Sequence, residues 1–128
     1  MMVLTLLVWL YMYSKRMPFL AKSGLIKKPL TALELTQASP PDVVSSSDNL
    51  KNLFELPVIF YALVLYLYAT NGVDGSYVMA AWVFLVFRVL HSAVHCTFNL
   101  IPVRFLMYLI SSFALWFMML RAAWRVFV

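Results

Sequence analysis

The chain has 128 residues, 64% of them hydrophobic, a net charge of +5 and a mean hydropathy of +0.87. Soluble domains are about 45–50% apolar, so this composition is built for lipid, and the length supports a single domain, 1–128. One cysteine excludes an internal disulfide framework, and basic residues clustered beside an apolar run mark membrane flanks, excluding a nucleic-acid surface.

The first apolar segment, Met1 to Tyr13, is closed by Ser14-Lys15-Arg16, which predicts a span over about 1–16. At about 1.5 Å per residue the apolar part covers only about 20 Å, short of the roughly 30 Å hydrocarbon core. It therefore extends to Met17, tilts little, or lacks residues upstream. A secretory signal peptide is the second reading, weakened by the missing basic n-region and the missing small-residue cleavage site. A polar linker follows over about 21–49. It holds Lys22, Lys27, Lys28 and Pro29, then ASPPDVVSSSDN, whose prolines, serines and aspartates read as loop. A short helical piece near Leu30 to Thr36 is weakly signalled. Ser47 or Asp48 is the candidate N-cap for what comes next.

The second span is predicted over about 53–70, LFELPVIFYALVLYLYAT, with Pro57 inside it. Proline removes a backbone hydrogen bond and clashes one turn back, so a kink is expected between Leu53 and Pro57. NGVDGS carries Asn-Gly and Asp-Gly turn signals. The third span is predicted over about 77–98. NLIP is a tight connection with Pro102 suited to a first helical turn, and the fourth span covers about 103–124. Lys15, Arg16, Lys22, Lys27, Lys28 and Lys51 all flank the first loop and none lies in the second. The positive-inside rule then places the first and third loops in the cytoplasm, against the weaker opposing signal of Arg121 and Arg125.

Arg88, His91, His95 and Asn99 follow one another at spacings of 3, 4 and 4, which puts them on one stripe of the third helix, opposite Val, Leu and Phe. The second span offers Lys51, Asn52 and Glu55, and the fourth offers Arg104, Tyr108, Ser111 and Ser112. Charged side chains at such depth cost roughly 2.5–3.5 kcal/mol each on insertion scales, so they face partners or a wet cavity. Structural readings stand beside the functional ones. Arg88 and Glu55 could form a buried ion pair, Arg104 could snorkel from the adjacent loop, and Asn99 reads as a helix-end cap rather than a ligand. Tyr61, Tyr66, Tyr68 and the tryptophans read as belt or packing residues. His91 and His95 at i, i+4 also fit a metal or haem pair. No glutamate follows the first histidine, and Cys96 points about 100° away from His95, so no metal is expected.

NLKNLFELPVIFYALVLYLY, followed by FRVLHSAVHCTFNLIPVRFLMYLISSFALWFMMLRAAW, resembles the MAPEG family, the membrane-associated proteins in eicosanoid and glutathione metabolism. The resemblance covers roughly Asn49 to Trp124, with Asn52, Glu55, Arg88, His91, Pro102, Arg104 and Tyr108 in the family's spacing. It implies an all-α, integral-membrane four-helix bundle assembled as a homotrimer, with glutathione as co-substrate between subunits at the cytoplasmic side. It also implies a multi-pass location, for a bacterial-type member the inner membrane. By the same resemblance Asn52 and Glu55 hold glutathione, Glu55 taking its amino group. Lys51 stands where better-known members have arginine. Arg88 and His91 line the site, and His95 stands where the prostaglandin and leukotriene synthases have tyrosine. Arg104 matches the arginine proposed to activate the thiol, and Tyr108 a tyrosine beside it. Phe105 replaces a small polar residue, and Arg16 or Lys15 are candidates for a first-helix arginine. The expected partners are membrane lipid, a lipophilic small-molecule substrate and further copies of the chain. Two function classes follow. One is a glutathione-dependent transferase or peroxidase acting on lipophilic electrophiles or lipid hydroperoxides. The other is a non-catalytic lipid-binding scaffold, like the family's lipoxygenase-activating member.

Overall fold

The computed structural model describes residues 1–25 and 29–127; Lys27 and Lys28 of the basic flank lie outside the described residues. Those residues form helices α1 (Met2–Ser23), α2 (Ala32–Ala38), α3 (Pro41–Leu53), α4 (Leu56–Ala69), α5 (Gly75–Cys96) and α6 (Ile101–Phe127), with no strand among them. Three helical stretches are long and apolar enough to cross a membrane: Pro41–Ala69, Gly75–Cys96 and Ile101–Phe127.

The first helix is longer than the span expected over about 1–16. Its 22 residues reach Ser23, about 33 Å at 1.5 Å per residue. Lysine and arginine are good helix formers, so Lys15 and Arg16 do not stop it. Ser14 donates back to the Tyr11 carbonyl at 2.7 Å inside the helix, and Gly24, at φ 66°, supplies the left-handed residue that ends it. With Lys15, Arg16 and Lys22 in its second half, α1 is not among the three apolar candidates.

The linker expected over about 21–49 is largely helical. Thr31 and Glu34 form a reciprocal capping box that starts α2 two residues into the weakly signalled stretch. Pro41 begins α3 at a position where its missing N–H costs nothing, and Asp42 favours the same end electrostatically. Ser47 and Asp48 are therefore mid-helix, not caps. The Ser46 and Ser47 hydroxyls donate back to the Val43 carbonyl at 2.9 and 3.0 Å. Residues that favour loops also favour the first turn of a helix, which is why composition misled there.

The kink expected before Pro57 is a break. Pro57 has no N–H to give the Leu53 carbonyl, so α3 closes at Leu53 and Phe54 and Glu55 bridge to α4, Glu55 at φ −96°, ψ −103°. Beyond α4, Asn71 takes φ 50° in the turn, and Asp74 caps α5 by accepting from the Ser76 and Tyr77 amides at 3.0 and 3.2 Å. Arg121 and Arg125 of α6 both reach the Asp74 carboxylate, at 2.7 and 2.6 Å, and their guanidinium groups lie over the Tyr77 ring. The hydrogen bond from Arg121 leads the causes that hold the Asp74 carboxyl down at about 2. The antiparallel α5–α6 pair, the most extensively packed in the chain, is thus tied at one end. Its core there is Leu67, Tyr77, Ala80, Met118 and Ala122, with Phe60 stacked on Phe84 at 4.4 Å one layer on. α1 packs on α3, and α3 in turn on the last turns of α5. Large apolar side chains such as Trp82, Phe113, Leu120 and Trp124 remain exposed on the outer faces.

Candidate functional site

The stripe read from spacing faces the helix bundle. Arg88, His91 and His95 are 0%, 3% and 2% exposed, while Val86, Val89 and Leu90 on the other face are open. The tight turn after α5 brings the start of α6 against this stripe. Asn99, at φ 46°, donates its backbone N–H to the Val94 carbonyl at 2.8 Å, which closes the helix end as expected of a cap. Its side chain does more: Oδ1 accepts from Arg104 Nη1 at 2.8 Å. The same Nη1 meets His95 Nε2 at 3.2 Å, so Arg104 is held by two groups of the α5 end instead of snorkelling freely. The Arg104 carbonyl meets His91 Nδ1 at 2.9 Å; since a carbonyl only accepts, His91 carries its proton on Nδ1. The Tyr108 ring lies 5.8 Å from the His91 ring and 4.6 Å beneath the Arg88 guanidinium.

Helices α1 and α3 hold this end of α5 in place. The last carbonyls of a helix have no intrahelical partner. Here the Ser45 hydroxyl donates to the His95 carbonyl at 2.6 Å and the Tyr11 hydroxyl to the Cys96 carbonyl at 3.1 Å. Asn49, fully buried, accepts from the Ser92 hydroxyl at 3.1 Å and donates to Cys96 Sγ at 3.2 Å. Ser45, Asn49, Ser92 and Tyr11 were not singled out in the sequence. The i, i+4 spacing of Ser45 and Asn49 is a signal only once SSSDN is read as helix.

Arg88 is the anomaly. Its Nε, Nη1 and Nη2 are all buried and have no hydrogen-bond partner among the described residues, and His91 Nε2 is in the same condition. The suggested ion pair with Glu55 is not formed: Glu55 sits in the α3–α4 break and is exposed, with no salt bridge among the described residues. Two aromatic faces lie against the cation, Tyr108 at 4.6 Å and Phe84 at 5.5 Å from its Cζ. Five guanidinium donors in an interior without an acceptor are costly unless an anion reaches them.

The predicted site residues therefore fall into two groups. Arg88, His91, His95, Arg104 and Tyr108 are brought together by α5 and α6. Lys51, Asn52 and Glu55 make no side-chain hydrogen bond or salt bridge to them among the described residues. Lys51 is exposed and pairs with Asp48 at 2.9 Å, and Asn52 is half-buried with no side-chain hydrogen bond among the described residues. His95 Nε2 faces a guanidinium, a poor place for a metal cation, and no cluster of three ligating side chains occurs among the described residues. A separate apolar cavity of about 250 Å³, lined by Phe60, Val64, Leu67, Tyr77, Trp82 and Met118, lies toward the Asp74 end and carries no charge.

Comparison with known proteins bears on this arrangement. The family model described as the MAPEG family matches residues 1–124. No curated protein and no solved structure matches the chain.

Proposed function

Because the chain belongs to the MAPEG family, an integral-membrane family of the glutathione transferase and peroxidase type, we propose that it is a glutathione-dependent membrane enzyme. It conjugates lipophilic electrophiles or reduces lipid hydroperoxides. The observation that carries this reading is the buried guanidinium of Arg88, without a hydrogen-bond partner among the described residues, on the same α5 stripe that anchors Arg104 through His95. Two cations on one stretch of the α5–α6 face suit a ligand with carboxylates and an ionisable thiol.

Each residue has a distinct task in the proposal. Arg88 receives a carboxylate of glutathione. Arg104 commits Nη1 to Asn99 and His95, which leaves Nε and Nη2 for the sulfur. A thiol has an ordinary pKa near 8.5 and reacts as the thiolate, and a guanidinium beside it favours the anion. Each unit by which the pKa falls is about 1.4 kcal/mol of differential interaction. His91 Nε2, fixed as a bare acceptor, can take an N–H or S–H of the ligand, and Tyr108 walls the site. The released proton leaves to solvent. The thiolate attacks a carbon electrophile, and the C–S bond forms as a leaving group departs with its electron pair or as a conjugated double bond takes the pair and a proton from solvent. On a hydroperoxide it attacks the terminal oxygen: the S–O bond forms, the O–O bond breaks, the alkoxide takes a proton from solvent to leave as alcohol, and a second glutathione displaces water from the sulfenic acid to give the disulfide.

The proposed assembly is a homotrimer of four-span subunits, with the first and third loops cytoplasmic. The length of α1 supports its role as a span, and the exposed apolar faces support lipid or subunit contact. Lys51, Asn52 and Glu55 make no hydrogen bond or ion pair to the α5–α6 cluster among the described residues, a separation that supports a site completed by a second subunit. That same separation favours the scaffold reading if no second subunit supplies them. The deciding experiment follows thiolate formation of bound glutathione by ultraviolet absorbance against pH. Arg104→Lys should raise the apparent thiol pKa, since lysine lacks the planar fork, and Arg104→Ala should raise it further. Identical titrations in all three proteins would remove Arg104 from the chemistry and leave the scaffold.

A further inference from the structure

We propose that Ser45 is a positioning residue for Arg104, acting through the imidazole of His95. Ser45 lies on α3, fifty residues before His95 and outside the stretch of polar residues facing α6. Its role follows from counting protons. The hydroxyl oxygen is 2.6 Å from the His95 carbonyl, which can only accept, so the single hydroxyl proton is spent there. The same oxygen is 3.0 Å from His95 Nδ1 and has only lone pairs left for it. Nδ1 therefore carries the ring proton. In a neutral imidazole Nε2 is then a bare acceptor, and this is the atom that meets Arg104 Nη1 at 3.2 Å.

The opposite tautomer would break the chain of bonds. With the proton on Nε2, an N–H would face the N–H of a guanidinium, and Arg104 would be left to Asn99 alone. Two contacts select Nδ1–H from opposite sides of the ring: the Arg104 N–H needs Nε2 as acceptor, and the Ser45 oxygen is the acceptor for the proton on Nδ1, while the His91 ring meets His95 edge to face at 5.6 Å. Ser45 thus gives the Nδ1 proton its acceptor, keeps Nε2 free to accept, and so steadies one edge of the Arg104 guanidinium. The inference deepens the proposed function, and its catalytic consequence rests on that reading; the tautomer itself does not.

The experiment has two readouts. Nitrogen-15 spectra of His95 in detergent-solubilised protein, without glutathione, report the tautomer. Wild type and Ser45→Thr should show Nδ1–H with a pyridine-type Nε2, and Ser45→Ala should shift toward Nε2–H. Titration of bound glutathione should show a raised thiol pKa in Ser45→Ala and restoration in Ser45→Thr. In a His95→Gln background, where an amide oxygen can serve as acceptor without the ring, Ser45→Ala should add no further shift. A purely structural loss of the helix-end bond would add the same shift in both backgrounds and would overturn the proposal. So would retention of Nδ1–H in Ser45→Ala. If Arg104→Ala leaves the titration unmoved, the proposed chemistry fails, and the nitrogen spectra still decide whether Ser45 sets the ring.

Discussion

Replacing Arg88 by methionine tests whether its buried charge exists for a ligand or for the fold. The guanidinium is 0% exposed with no polar partner. Desolvating such an ion costs several kcal/mol even after relaxation. Stacking over Tyr108 at 4.6 Å and Phe84 at 5.5 Å returns about 2 kcal/mol or less per ring. Methionine fills a similar volume with flexible apolar atoms and removes the penalty. The ligand-free variant should therefore be as stable as wild type or more stable, by about 1–3 kcal/mol. Glutathione should behave in the opposite way. At a concentration 100 times its Kd, it stabilises wild type by about 2.7 kcal/mol. Loss of a buried charged contact worth about 2 kcal/mol or more weakens affinity about 30-fold, which cuts the ligand's stabilisation to about 1 kcal/mol or less at the same concentration. The assay is equilibrium denaturation in detergent with and without glutathione. A variant destabilised by about 3–5 kcal/mol, with its glutathione effect intact, would refute the reasoning, because that is the signature of breaking a paired buried charge.

Asn49→Ala removes the partner of the buried Ser92 hydroxyl and of Cys96 Sγ, and should cost about 1–3 kcal/mol in the same denaturation assay. The Asp74 carboxyl, ordinarily near 3.8, is held at about 2 in the folded chain. Its contribution is therefore complete above the ordinary value and is lost as pH falls through that value and then through the folded one. Thermal unfolding followed over this acid window should show wild type losing a contribution that Asp74→Asn lacks at every pH. Cysteines placed at 91 and 95 in a Cys96→Ser background should label slowly with a lipid-phase reagent, because both positions face the bundle; rapid labelling would contradict the packing of α5.

Much of this protein was legible in one dimension. Composition selects lipid, and the 3.6-residue period alone puts Arg88, His91 and His95 on one face, because residues three and four apart stack on a helix whatever surrounds it. Pro57 marks its break and Asn71 to Asp74 their turn for equally local reasons. Family spacing puts Arg104 and Tyr108 forward as candidate site residues from the sequence alone. Local chemistry failed where one residue type serves two structures: the proline, serine and aspartate of PPDVVSSSD suit a loop, and they also suit the first turns of α3. Only the tertiary structure decided the partners. Nothing in the chain order says that Ser45 meets His95, that Asn49 joins Ser92 to Cys96, or that Glu55 forms no salt bridge with Arg88 among the described residues. Periodicity fixes which face a side chain occupies, but a hydrogen bond needs its donor and acceptor within about 3 Å. For residues fifty positions apart, that distance is set by how α3 packs on the end of α5, and no local pattern encodes it.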